Sequence, residues 1–125
     1  YLDFNSFLNA PGQGAIAIET NTNNREVKKI VSTINHEKTM ICTKNERGFM
    51  KRMGGGCNYP IGAYAYIEGN KLFLEGIILS LDGKKSIRHK VETFNHNYDL
   101  ANELSNKFNE DDVRDLINEI DNEIR

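Results

Sequence analysis

Glu46-Arg47-Gly48-Phe49-Met50-Lys51-Arg52-Met53-Gly54-Gly55-Gly56-Cys57-Asn58-Tyr59-Pro60 is the stretch on which the fold turns. Upstream of it the apolar residues recur with a helical period. Downstream of Pro60 they alternate, so the glycines mark the change from helix to sheet. A helix end normally uses one glycine, and three in a row cost backbone entropy on folding while packing nothing. The extra two imply that something bulky approaches the backbone beside Cys57. Residue type alone leaves two accounts of that cysteine: a small hydrophobe after a helix end, or a loop thiol bearing a covalent group. The helix dipole does not choose between them, because a C-terminus disfavours thiolate, and any activation would come from Arg47, Lys51 and Arg52.

Working back from the glycines, Glu37 to Met53 reads as an amphipathic helix. Ile41, Cys42, Phe49, Met50 and Met53 share about half the circumference, which makes Cys42 a core residue, and Thr43, Lys44, Arg47 and Lys51 lie opposite. Glu46 falls inside the apolar arc, where a carboxylate needs a partner that the sequence does not name. An earlier helix is expected over Arg25 to Ile34, after a polar turn at Asn21 to Asn24. Before it, Ala10-Pro11-Gly12 is a turn, and Gln13 to Thr20 alternates as a strand does. The spacing of Gly12, Gly14 and Ala17 superficially fits a dinucleotide fingerprint. That motif follows a strand and opens a helix, whereas this one follows a turn and opens a strand.

Working forward, Ile61 to Glu68, Lys71 to Leu81 and Ser86 to Phe94 read as three strands joined at Gly69-Asn70 and Asp82-Gly83, an antiparallel meander. Ala63, Ala65 and Ile67 take one face of the first strand, with Tyr64 and Tyr66 on the other. Ile87, His89, Val91 and Thr93 face inward on the third, which makes His89 a sheet histidine. Leu100, Ala101, Leu104 and Phe108 mark a further helix, and Val113, Leu116, Ile117, Ile120 and Ile124 another, capped within Asn109 to Asp112. The expected class is α+β, a three-stranded antiparallel sheet packed on helices in the order α-α-β-β-β-α-α.

At 125 residues there is room for one domain with its own core. Cys42 and Cys57 lie fifteen apart with no CxxC pair, and His36 and His96 stand at no metal-ligand spacing to either, so no metal is expected. No apolar run reaches the length of a membrane span. The net charge of −2, with acidic residues gathered after Asn109, argues against a general nucleic-acid surface.

Glu46-Arg47, the segment from Gly55 to Ala65, and Pro11-Gly12-Gln13-Gly14-Ala15-Ile16-Ala17-Ile18-Glu19 together resemble the C-terminal part of the porphobilinogen deaminase (hydroxymethylbilane synthase) family, in order and spacing. The resemblance implies a chain that joins four porphobilinogen molecules head to tail into hydroxymethylbilane, releasing ammonia, in tetrapyrrole and haem biosynthesis. It implies a transferase of the cytoplasm, monomeric at full length. Its dipyrromethane cofactor would be held by a thioether to Cys57, with Arg47 pairing a cofactor carboxylate and Gly56 beside it. Gln13 and Gly14 would lie along the substrate cleft.

On this resemblance residues 1–21 are the returning strand and turn of a truncated catalytic domain, and residues 22–125 a cofactor-attachment domain. The partners would be porphobilinogen, the growing polypyrrole and the missing N-terminal domains. The family's catalytic aspartate lies in the first of those domains, so no catalytic residue is expected here and the chain alone should be inactive. The sequence departs from the family at Asn21, where an arginine often stands, which removes that turn as a holder of substrate carboxylates. A second reading is a double-stranded-RNA-binding module, which shares the helix, three-strand, helix order but needs clustered cations. A plain interaction domain would leave the triple glycine unexplained.

Overall fold

The computed structural model describes residues 3–54, 59–108 and 111–116. Helix α1 spans Arg25–Ser32, and the Asn24 side chain caps it by accepting from the Val27 N–H. Helix α2 spans Glu37–Arg52 and is capped by the His36 ring, which accepts from the Thr39 N–H. Three strands follow, β1 Ile61–Glu68, β2 Lys71–Leu79 and β3 Ser86–Thr93, then α3 Leu100–Lys107. Residues 111–116 are also helical. The element order and the antiparallel β1-β2-β3 sheet are those expected from the alternation of apolar residues.

Register explains why the sheet has one covered face. Ala65 opposes Leu74, which opposes Val91, and Ile67 opposes Leu72, which opposes Thr93. A period of two carries each such row to the helix side, against α2 and α3. Phe49 at the centre is fully buried with Leu72, Leu74, Ile78, Leu100 and Leu104 around it. Each of these large side chains contributes roughly 1.5–3 kcal/mol by leaving water. His89 sits on this side with its ring edge-on to Phe108 at 4.8 Å, as a sheet histidine should.

The open face carries a different order. Phe4 stacks on Tyr64 at 4.0 Å between ring centroids, Tyr64 on Tyr66 at 5.3 Å, and Tyr66 on Phe73 at 4.8 Å. Arg88 crosses this face to Glu75 at 3.0 Å and donates to the Phe4 and Asn5 carbonyls, which lays residues 4 and 5 over one corner of the sheet.

Several bounds differ from expectation. β2 stops at Leu79 because Ser80 turns inward and its N–H donates to the Lys85 carbonyl, so the connection to β3 runs over residues 80–85 and is longer than a tight Asp82-Gly83 hairpin. The buried arc of α2 includes Asn45 and Glu46, while Met50 stays outside the core cluster. Helix α1 is amphipathic yet buries no residue. Residues 15–20 pair with no described strand, and Ile16 is 94% exposed. The expected positions Ile117, Ile120 and Ile124, and the cap residues Asn109 and Glu110, lie outside the described residues.

Candidate functional site

Helix α2 points its C-terminus at the glycines. Met53 caps it, and Gly54 follows at φ +92°, the left-handed conformation that a helix end assigns to glycine. Gly55, Gly56, Cys57 and Asn58 lie outside the described residues. On the far side of them Tyr59 donates its hydroxyl proton to the Met53 carbonyl, so the two ends of this segment are held together by a side chain. The sequence offered no signal for that contact beyond a tyrosine next to a proline.

Arg47 is exposed on the outer face of α2. It lines a shallow concavity of about 510 Å³ with Met40, Thr43, Lys44, Gly48, Met50 and Lys51. Arg47, Lys44 and Lys51 have no ion-pair partner among the described residues, whereas Arg52 is engaged with Asp99 at 2.5 Å. Among the described residues, a guanidinium and two ammonium groups thus stand together without counter-charges, a local cationic face on a chain of net charge −2.

Gln13 and Gly14 belong to the turn after Pro11. Gly12 and Gly14 have φ of +73° and +84°, values that L side chains adopt only with strain. The turn arches over a cavity of about 430 Å³ lined by Asn9, Gln13, Gly14, Cys42, Glu46 and Tyr64 among others. Burial pushes the Cys42 thiol up, and the neighbouring Glu46 adds to the effect, so this cysteine stays protonated near neutrality. Arg47 and Gly14 also border a second groove with Ile16, Ile18, Ile34 and Met40, which brings the turn and the cationic face of α2 to one side of the molecule.

The partner that Glu46 lacked in the sequence is the backbone. Its two oxygens accept the N–H groups of Gly12 and Ala65, each at 2.9 Å. Burial still holds its carboxyl above the usual carboxylate range, against the pull of those two donors.

Residues 40–111 match the family model described as the C-terminal domain of porphobilinogen deaminase. The chain belongs to the porphobilinogen deaminase family. Porphobilinogen deaminase from Syntrophomonas wolfei is 41% identical over 85 residues, covering 68% of this chain and 28% of that protein. The corresponding protein of Chlorobium phaeobacteroides is 43% identical over 84 residues, with 67% and 27% covered. That of Alkaliphilus metalliredigens is 40% identical over 91 residues, with 73% and 29% covered. The chain therefore spans less than a third of the length of these relatives. The stretch matched to the porphobilinogen deaminase C-terminal domain contains Arg47, Gly56 and Cys57 and begins after Gln13 and Gly14. It covers α2 from residue 40 onward, the sheet and α3, elements that share the core, and leaves out α1.

Proposed function

We propose that this chain is the cofactor-bearing part of a porphobilinogen deaminase, which joins four porphobilinogen molecules into hydroxymethylbilane with release of ammonia. The observation that carries this reading is the family match over residues 40–111, which contain Arg47 and Cys57; among the described residues, Lys44, Arg47 and Lys51 on the outer face of α2 have no ion-pair partner. Residues 22–125 form the attachment domain, and residues 1–21 belong to the returning strand of a preceding catalytic domain. The full-length protein works as a cytoplasmic monomer, with porphobilinogen and the growing polypyrrole as ligands.

Of the residues that would hold a dipyrromethane group, Arg47 is described and its chemistry fits. Its acetate and propionate arms are anionic, and Arg47 offers a planar fork of donors suited to pairing one of them bidentately. Cys57 holds the group through a thioether, and Gly56 lets it approach the backbone without a Cβ in the way. When bound, the dipyrromethane supplies the primer end on which the pyrrole chain is extended. Gln13 and Gly14 border the cleft through which that chain passes. The carboxylate that assists loss of ammonia lies outside this chain, and Asp82 is excluded from that role because it is occupied in the β2–β3 connection, accepting from Ser80 at 2.6 Å and from the Lys84 N–H at 2.9 Å.

The decisive experiment is the intact mass of the full-length protein under denaturing conditions, with Cys57→Ser as control. Two pyrrole units on the unsubstituted protein and none on the variant support the reading, and an unmodified protein that still makes hydroxymethylbilane overturns it. Mixed with porphobilinogen, the 125-residue chain by itself yields no steady-state product.

A further inference from the structure

Glu46 is a charged side chain on the core side of a helix, 5% exposed. An apolar residue of similar size at this point of α2 would avoid the cost of desolvating a carboxylate. What the carboxylate does, and an apolar residue cannot, is accept two hydrogen bonds at once. The strand β1 is an outer strand of the sheet, and its Ala63 N–H is taken by the Asn9 carbonyl at 2.9 Å. The Asn9 side chain returns a bond to the Ala63 carbonyl at 3.0 Å. One step along the same edge, Oε1 of Glu46 takes the Ala65 N–H, in the place where a neighbouring strand would supply a carbonyl. Oε2 takes the N–H of Gly12, in the turn whose glycines the backbone conformation demands. One side chain thus ties together the turn at 11–14, helix α2 and the sheet edge, three segments far apart in sequence.

We propose that Glu46 is a positioning residue: it holds the Gln13-Gly14 turn at a set height over α2 and β1, so that the turn and Arg47 keep one geometry toward the cleft. The proposal rests on the functional reading above for the meaning of that cleft, and on the two hydrogen bonds for the geometry. Lys38, Cys42 and Tyr64 are the other titratable groups lining the cavity around the carboxylate.

Two kinds of readout separate the geometry from the reaction. In the 125-residue chain, Glu46→Gln keeps one acceptor oxygen and places an NH2 against the other N–H donor, so amide exchange at Gly12 or at Ala65 speeds up by about tenfold or more while Leu74 and Val91 keep their protection. Unchanged exchange at both amides overturns the proposal. Should the variant not fold, the unsubstituted chain still decides the matter. Its Gly12 and Ala65 amide protons shift together with the Glu46 carboxyl carbon as pH is lowered, and amides indifferent to that titration overturn it.

In the full-length protein, Glu46→Gln raises KM for porphobilinogen about fivefold, with kcat held within about twofold and the pyrrole mass on Cys57 unchanged. Glu46→Asp, one methylene short of spanning both amides, recovers only part of the loss. A variant with lower kcat at unaltered KM has lost folded protein and not position, which also overturns the proposal. Absence of pyrroles from the unsubstituted protein defeats the functional reading instead, and leaves the exchange result standing on its own.

Discussion

Two side chains of α2 make opposite use of charge. Arg47 keeps its guanidinium outside, with no ion-pair partner among the described residues, and on the proposed function it pairs a ligand carboxylate. Hydrogen bonds to a charged partner are worth about 1.5–3 kcal/mol, so Arg47→Leu in the full-length protein lowers pyrrole loading or turnover by roughly 10- to 100-fold. Turnover and denatured mass, measured on the same preparation, check this. Glu46 keeps its carboxylate inside, and burial raises its pKa above the ordinary 4.5 despite two N–H donors. An acid whose folded pKa is the higher one binds more protons when folded within that window. Its contribution to stability is therefore full below the unfolded value and declines as pH rises through the folded one. Urea midpoints measured across that acid range should fall more steeply with pH for the unsubstituted chain than for Glu46→Gln. Equal slopes would show that the carboxyl is not perturbed. Arg47 was legible from sequence through helical spacing and family resemblance. The burial of Glu46 was legible too, but the two amides that justify it lie 34 and 19 positions away, and no local pattern announces them.

Among the described residues, elements pack through close approaches at glycines, the tightest at Gly76. Gly76 on β2 lies under the Phe49 ring, and a Cβ at that position would stand 2.5 Å from Cζ of Phe49 and 3.0 Å from Cδ2 of Leu104. The ring is fully buried and has no room to retreat, so Gly76→Ala costs about 1–3 kcal/mol through overpacking. Phe49→Ala costs about 3–5 kcal/mol by leaving a cavity between α2, α3 and the sheet. Chemical denaturation of each variant reads both effects. A gain in stability from Gly76→Ala would contradict the packing. Strand alternation and helix periodicity foretold which faces are covered, since those follow from backbone geometry. They did not foretell that β2 ends two residues early or that Asn45 joins the buried arc, because both depend on side-chain to backbone bonds, Ser80 with Lys85 and Asn45 with the Ile41 carbonyl.

The molecule as a whole has an uneven distribution of support. The part matched to the porphobilinogen deaminase C-terminal domain, residues 40–111, holds nearly the whole core, while α1 buries none of its eight residues. Val27, Ile30 and Ile34 are exposed, as are Ile16 and Ile18 before them. A helix of two turns without tertiary burial is marginal in water. Hydrogen exchange should therefore find α1 amides opening far faster than those in the middle of α2, with protection factors lower by about two orders of magnitude or more. Comparable protection in the two helices would mean that α1 is supported by contacts that the fold does not display.

Composition and periodicity determined the α+β class, the strand faces, the placing of Arg47 on an outer helix face and the glycine-rich break before Pro60, because each is a short-range consequence of where apolar and special-backbone residues stand. The residues around Cys57 carried the family resemblance without any fold at all. Tertiary structure alone decided which backbone amides meet the Glu46 carboxylate, that Tyr59 closes back on Met53, and that Val27, Ile30 and Ile34 stay exposed. Those depend on distances between segments remote in the chain, and a linear pattern holds no information about such distances until the sheet and its helices have packed.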